Sequence, residues 1–175
     1  MPSERSMRKE AYMAKTTHEF GDFAAQGVCM AGNAFATVLL VKGQEDFEET
    51  ELSALKASLE HLGYAPEAWA TLLTTTKTGD SINPELVRQA ISAFSPDTVL
   101  LVNDAAVALV REAYAEELEQ LKTDAEKTFS PRVLVHVCGM RVVNLDNFAG
   151  ALDDPHQKQM RWAAIKQVPP LGEPY

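Results

Sequence analysis

Polar side chains that could perform acid–base chemistry follow three of the apolar runs in this chain. Gln44, Glu45 and Asp46 follow the first of these runs, and Asn103 and Asn147 follow two later ones. Carboxylates accept and return protons, whereas amides orient a substrate or a water molecule by hydrogen bonding. If the fold brings these groups together, they could line the pocket of a small-molecule hydrolase.

The other reactive side chains form no recognisable catalytic or metal-binding set. The four histidines are scattered along the chain, so no nucleophile triad is indicated. Two cysteines, Cys29 and Cys138, are too few for a disulfide framework or an iron–sulfur cluster. The acids after Gly43 have no histidine nearby and fit a solvated first helical turn better than a metal site. We therefore expect no metal, no cofactor and a reduced, cytoplasmic chain.

Short apolar runs predict the strands that must position these groups. Residues 38–41 are typical of a strand buried on both faces, and so are residues 98–102 and 132–137. A strand covered on both faces requires helices on both sides. The sequence therefore predicts a three-layer α/β/α domain with a mostly parallel central sheet of about four strands. Ligands of such sheets bind beyond the carboxyl ends of the strands.

Helix signals lie between these runs. Leucines at three- and four-residue spacing over 52–62 follow a cluster of acids and predict an amphipathic helix. Asn83 and Asp154 each stand directly before a proline, and Asn103 precedes an alanine-rich segment, so each can cap a helix. The core is predicted to include Val38, Leu40, Leu55, Leu59, Leu72, Leu86, Ile91, Leu100, Val102, Leu134 and Trp162.

Length and charge limit the domain count and the partners. The 175 residues suffice for one well-buried core, so we expect a single domain at 20–168, an N-terminal arm or frayed helix at 1–19 and a proline-rich tail at 169–175. A net charge of −9 repels a polyanion, which disfavours nucleic acid as a partner. The apolar runs are too short for a membrane span. The oligomeric state is not indicated.

The order of several motifs resembles that of the uracil-DNA glycosylase superfamily over residues 27–168. GVCMAGNAFATVLLVKG is similar to the family's strand-entry phrase, and HLGY, TTTKTGDSINPEL, SPDTVLLVNDAAVALV and ALDDPHQKQMRWAAIKQV are similar to the phrases that follow it. In the last phrase a proline, Lys158, Trp162 and Lys166 stand at the family's spacing. The resemblance implies a glycosylase-like α/β fold with its functional groups at three strand ends.

The positions that carry glycosylase chemistry in this family are altered here. The resemblance places the phosphate-contacting loop at 42–46, which lacks the family's proline and second glycine. Thr74 stands where the family has an asparagine that reads the pyrimidine. Asn147 and Phe148 take the first two positions of a histidine–proline–serine turn, and Asp153 replaces an arginine. The resemblance therefore implies a vestigial pocket formed by Gly43, Gln44, Glu45, Asp46, Thr74, Asn103, Asn147 and Phe148.

Two functions are consistent with this pattern. The first is a non-catalytic binding or scaffold protein that engages a protein partner. The altered positions, the acidic charge and a tail that could dock in extended form support it. The second is an enzyme, either a divergent DNA glycosylase or a small-molecule hydrolase that uses the strand-end pocket. The alterations favour the first function.

Overall fold

The strands of the sheet form where leucine-rich and β-branched runs lie between turn residues. Six strands pair in one sheet among the described residues. They are β1 Cys29–Gly32, β2 Val38–Lys42, β3 Trp69–Leu73, β4 Thr98–Leu101, β5 Leu134–Val137 and β6 Met140–Asn144.

A computed structural model describes residues 3, 4, 7, 21–33, 35–76 and 78–171. The predicted arm at 1–19 therefore lies almost entirely outside the described residues, and so does the end of the predicted tail.

The strand order is β1-β3-β2-β4-β6-β5. The inner strands β3, β2, β4 and β6 run parallel to their neighbours, whereas β1 and β5 add to the two edges in antiparallel orientation. The expected parallel centre is present, but the whole sheet has six strands and not about four. The segment 132–137, predicted as a strand buried on both faces, instead contains the edge strand β5 with His136 exposed, because Cys138 and Gly139, at φ values of 49° and 79°, make a tight hairpin turn into β6.

Capping side chains begin three of the longer helices. Asn83, Asn103 and Asp154 each accept a backbone N–H from the first turn of the helix that follows. A short 3₁₀ helix, Phe148–Ala151, precedes the last α-helix. The α-helices with described bounds are α1 Glu49–Leu62, α2 Pro84–Phe94, α3 Asp104–Ala113, α4 Ala115–Glu119, α5 Asp124–Lys127 and α6 Pro155–Ile165, and residues 21–25 are also helical.

The helices cover both faces of the sheet, as the buried strands require. Alternate residues of β2 point to opposite faces. Leu39 and Val41 join a core with α2 and α3, whereas Val38 and Leu40 join a core with α1 and α6. The three-layer expectation is thereby met.

Most of the predicted core residues are buried, with three exceptions. Leu86, Leu134 and Trp162 are only half-buried. Leu134 begins an edge strand, Leu86 lies in the first turn of α2, and Trp162 borders a gap between α1 and α6. Their positions at the margins of the layers explain the exposure.

Candidate functional site

The carboxyl ends of the four parallel strands meet at one edge of the sheet. Gly43 follows β2, Thr74 follows β3, Asn103 lies just past β4, and Asn147 with Phe148 lies just past β6. The fold therefore brings residues from four separate segments to one place, as the sequence predicts for ligand-binding α/β sheets.

Asn103 uses its side chain to join two of these strand ends. Its Oδ1 accepts the Gly43 N–H at 3.0 Å, and its Nδ2 donates to the Gly43 carbonyl at 2.7 Å. The same Oδ1 accepts the Ala106 N–H at 3.1 Å and thereby caps α3. An amide oxygen with two donors and an N–H with its own acceptor has little capacity left for a ligand. Asn103 therefore has a structural role, because it joins the end of β2 to the start of α3.

Gly43 lies in a space too narrow for a side chain. A Cβ added there would overlap Thr74 Oγ1 and would stand 2.8 Å from Ala105 Cβ. Thr74 is itself buried, and its N–H donates to the Lys42 carbonyl at 2.9 Å. The β2 and β3 ends are thus packed directly against each other and against the start of α3.

Asn147 is held by the first residue of α3. Its Oδ1 accepts the Asp104 N–H at 3.1 Å, and its Nδ2 donates to Asp104 Oδ2 at 2.9 Å. Asp146 and Asn147 both have φ values of 56°, a left-handed conformation that these two residue types tolerate. The next residue, Phe148, is buried and donates its N–H to the Val102 carbonyl at 3.0 Å. The turn therefore ties the β6 end to the β4 end.

The loop after Gly43 differs from the other candidates because its side chains are exposed. Gln44, Glu45 and Asp46 are all exposed, and Gln44 has a φ of 69°. Asp46 Oδ1 accepts the N–H of Phe47 at 2.7 Å, which fixes the local turn. The structure therefore places these three residues at the predicted edge, on its solvent side.

A buried ion pair beneath this loop was not predicted from the sequence. Lys42 Nζ lies 2.6 Å from Glu51 Oε1, with the two side chains 1% and 0% exposed. Glu51 Oε1 also accepts the Glu48 N–H at 3.3 Å and completes a capping box at the start of α1. Glu51 Oε2 is buried without a hydrogen-bond partner. The available signals were a lysine that ends an apolar strand and a glutamate at the third position of a helix.

The ionisable groups with shifted pKa values lie elsewhere in the fold. Burial raises the pKa of Tyr64, whose hydroxyl donates to the Val168 carbonyl and accepts from Arg141. Burial also raises the pKa of Tyr114 to about 12. The Arg88 guanidinium, which lies over the Tyr114 ring, lowers the pKa of Glu117 through a direct ion pair. These shifts reflect burial and pairing within the core layers.

Cavities lined by the described residues include two of several hundred Å³. One, of about 620 Å³, is bordered by β1 and by residues 76–80, and includes Cys29 and Asp80 in its lining. The other, of about 470 Å³, is a groove between α1 and α6 with Phe148 at its floor.

No protein-family model matches the chain, and no curated protein is significantly similar to it.

Among the residues that the structure describes, no three His, Cys, Asp or Glu side chains are grouped so that they could hold a metal ion. No helix within the described part is long and apolar enough to cross a membrane.

Proposed function

We propose that this chain is a non-catalytic binding or scaffold protein on a degenerate uracil-DNA-glycosylase-like fold, and that it engages a protein partner. The observation that carries the proposal is the mutual pairing of the polar groups at the strand ends. Asn103 is bonded to Gly43 and Ala106, and Asn147 is bonded to Asp104. Groups that bond to one another stabilise the fold and leave few donors directed at a substrate.

The placement of the altered positions supports the glycosylase-like part of the proposal. The resemblance implies functional groups after three strands, and the corresponding residues here are the 42–46 loop, Thr74 and Asn147. All three follow inner parallel strands and lie at the same sheet edge. Parallel strands bring their carboxyl ends to one edge of any such sheet, so this placement agrees with the order that the resemblance requires.

Base excision needs donors that stabilise a departing uracil anion and a cationic sugar. A histidine in the turn after β6 could supply such a donor. The residue at that place here is Asn147, which donates its Nδ2 hydrogen to the Asp104 carboxylate. Asp104, Asp153 and Asp154 also add negative charge close to this turn in the sequence or at the start of α3, which would repel DNA phosphate. Both features argue against glycosylase chemistry.

The enzyme alternative rests on the exposed loop. Gln44, Glu45 and Asp46 are accessible, and two of them carry carboxylates that could act as acid–base groups. A divergent DNA glycosylase or a small-molecule hydrolase would have to use this loop, since the asparagines beside it are internally paired.

The test is a uracil-excision assay on the purified chain. Single- and double-stranded oligonucleotides that contain one uracil are incubated with the protein, treated with alkali and analysed for strand cleavage. An active uracil-DNA glycosylase serves as the positive control. Losing one transition-state donor typically lowers the rate by ~100- to 1000-fold, so loss at several positions predicts cleavage no faster than the blank.

Cleavage above the blank that disappears in Asn147→Ala would overturn the proposal, because it would make the turn after β6 a working active site. Cleavage that persists in Asn147→Ala and disappears in Glu45→Gln with Asp46→Asn would favour the enzyme alternative.

A further inference from the structure

The groove between α1 and α6 has the dimensions of a small-molecule site. Its volume is about 470 Å³, within the range of typical ligand pockets of roughly 300–1,000 Å³. It exists because α1 presents small side chains, Ala54, Ala57 and Ser58, toward α6. Helices with larger residues at these positions would close the gap by direct packing.

The charge of the groove is opposite to that of the whole chain. The net charge of the chain is −9, yet the described lining contains Lys158 and Arg161 and no aspartate or glutamate, and the carboxylate that pairs with Arg161, that of Asp146, lies outside the lining. The floor is apolar and consists of Phe148, Ala151 and Leu152. A basic, apolar recess on an acidic protein selects for a ligand that carries a negative charge on an apolar body.

Arg161 gives this recess a fixed, buried cation. Its side chain is 9% exposed and is held by Gln157 Oε1 and by the carbonyl and carboxylate oxygens of Asp146. Its Nε–H is buried and has no hydrogen-bond partner in the described structure. A ligand in the groove meets the exposed part of this guanidinium side chain, since Nε itself is shielded from solvent. Lys158, exposed at the rim, adds a second positive charge one helical turn away.

Aromatic rings form one wall of the groove. The Trp162 ring is half-buried, and its centroid lies 5.4 Å from the centroid of the His61 imidazole. Flat apolar ligands pack well against such rings in offset or tilted geometry. We propose that this groove binds a small aromatic carboxylate, with its ring against Trp162 and its carboxylate directed at Arg161 and Lys158. The inference is independent of the proposed function at the strand ends.

The test uses 2-naphthoate as the probe and 2-naphthamide as a neutral ligand of the same shape. Calorimetric titration of the full chain should show saturable binding of 2-naphthoate at one site. Hydrogen bonds to charged groups predict that 2-naphthamide binds about ten- to a hundredfold more weakly. Equal affinity for the two probes, or no saturable binding of 2-naphthoate, would overturn the proposal.

Two exposed positions allow the groove to be changed without removing the buried Arg161. Ala57→Phe fills the space, and Lys158→Glu reverses the rim charge, so each should weaken 2-naphthoate binding at least about tenfold. Lys122→Glu, an exposed change of the same charge outside the groove lining, is the matched control and should leave the affinity unchanged. Circular dichroism checks that each variant is folded. Unaltered binding in both groove variants would contradict the assignment.

The site can also be located by NMR. The chain has two tryptophans, so the indole N–H signals can be assigned with Trp69→Phe. The Trp162 signal should shift as 2-naphthoate is added, while the Trp69 signal, whose N–H is bonded to the Pro66 carbonyl, should not. A shift confined to Trp69 would place the ligand elsewhere and refute the proposal.

Discussion

At the scale of single residues, the Lys42–Glu51 pair is the most demanding feature of the strand-end region. Two charges removed from water lose several kcal/mol of solvation each, and only close pairing offsets this. The 2.6 Å contact provides such pairing and links the end of β2 to the start of α1. The pair therefore fixes the direction in which the chain leaves the sheet after Gly43.

Removing one member of this pair should destabilise the fold strongly. Lys42→Met leaves Glu51 buried without its partner, and a loss of about 3–5 kcal/mol in the free energy of unfolding is expected. Urea denaturation measures it. The double variant Lys42→Met with Glu51→Leu should recover much of the loss, because no unpaired charge remains. A single variant as stable as the exposed control Lys122→Met would show that the pair is unimportant.

Tyr114 gives a pH dependence whose sign follows from burial. Its folded pKa is about 12, whereas an unfolded tyrosine has a pKa near ~10. The stabilisation from a raised pKa is fully present below the unfolded value, and it is lost as pH rises from about 10 to about 12. Wild-type stability should therefore fall by roughly 2 kcal/mol more across this window than that of Tyr114→Phe. Urea denaturation at a series of alkaline pH values measures this difference. An equal loss of stability with pH in the two proteins would refute this assignment.

At the scale of elements, the strand ends are joined by contacts that leave no room for added atoms. Gly43 directly follows β2 and lies against Thr74 and against Ala105 in the first turn of α3. A glycine is needed here because neighbouring atoms lie close to its Cα, and not because the backbone has an unusual φ. The packing of β2, β3 and α3 thus depends on the smallest side chain at this position.

Gly43→Ala should destabilise the protein by about 1–3 kcal/mol, because the added methyl group overlaps Thr74 Oγ1 and Ala105 Cβ. Gly150→Ala is the matched control, since a Cβ there meets no atom within 4 Å. Chemical denaturation of both variants provides the comparison. Equal denaturation midpoints for the two variants would mean that the strand ends accommodate the added methyl group and are not closely packed.

Local signals account for the parts of this fold that could be predicted. Asn83 and Asp154 precede prolines and cap helices through contacts only two residues away, so they can be recognised in the sequence. The convergence of Thr74, Asn103 and Asn147 also follows from parallel strands. The bonds between Asn103 and Gly43 span 60 residues, and no local pattern encodes them. Lys42 was missed because a lysine at a strand end usually indicates exposure.

At the scale of the whole molecule, the charge of one groove differs from that of the chain as a whole. The formal charge is −9, yet the α1–α6 groove has a basic lining. An acidic protein neutralises few phosphates, and each such contact weakens as salt concentration rises. We therefore propose that nucleic acid is a poor partner of this chain and that small anions can still reach a local basic recess.

Duplex DNA should bind weakly at physiological ionic strength. Fluorescence anisotropy with a labelled duplex at ~150 mM salt is expected to give a dissociation constant no tighter than about 10 μM, the range of non-specific binding. An oligonucleotide with a uracil mismatch should bind no better. Nanomolar affinity with a steep salt dependence would show that the acidic edge does not prevent DNA capture.

The polar groups at the strand ends hold this end of the sheet together. The most direct measurement is the free energy of unfolding of Asn103→Ala, compared with Asn103→Asp, by urea denaturation. Asn103→Ala loses the α3 cap and both bonds to Gly43 and should be about 2–3 kcal/mol less stable than the parent. Asn103→Asp keeps the two accepted bonds but puts an acceptor oxygen against the Gly43 carbonyl, so it should also be less stable than the parent. Stability within about 0.5 kcal/mol of the parent for Asn103→Ala would contradict the claim, because the side chain would then be free for another role.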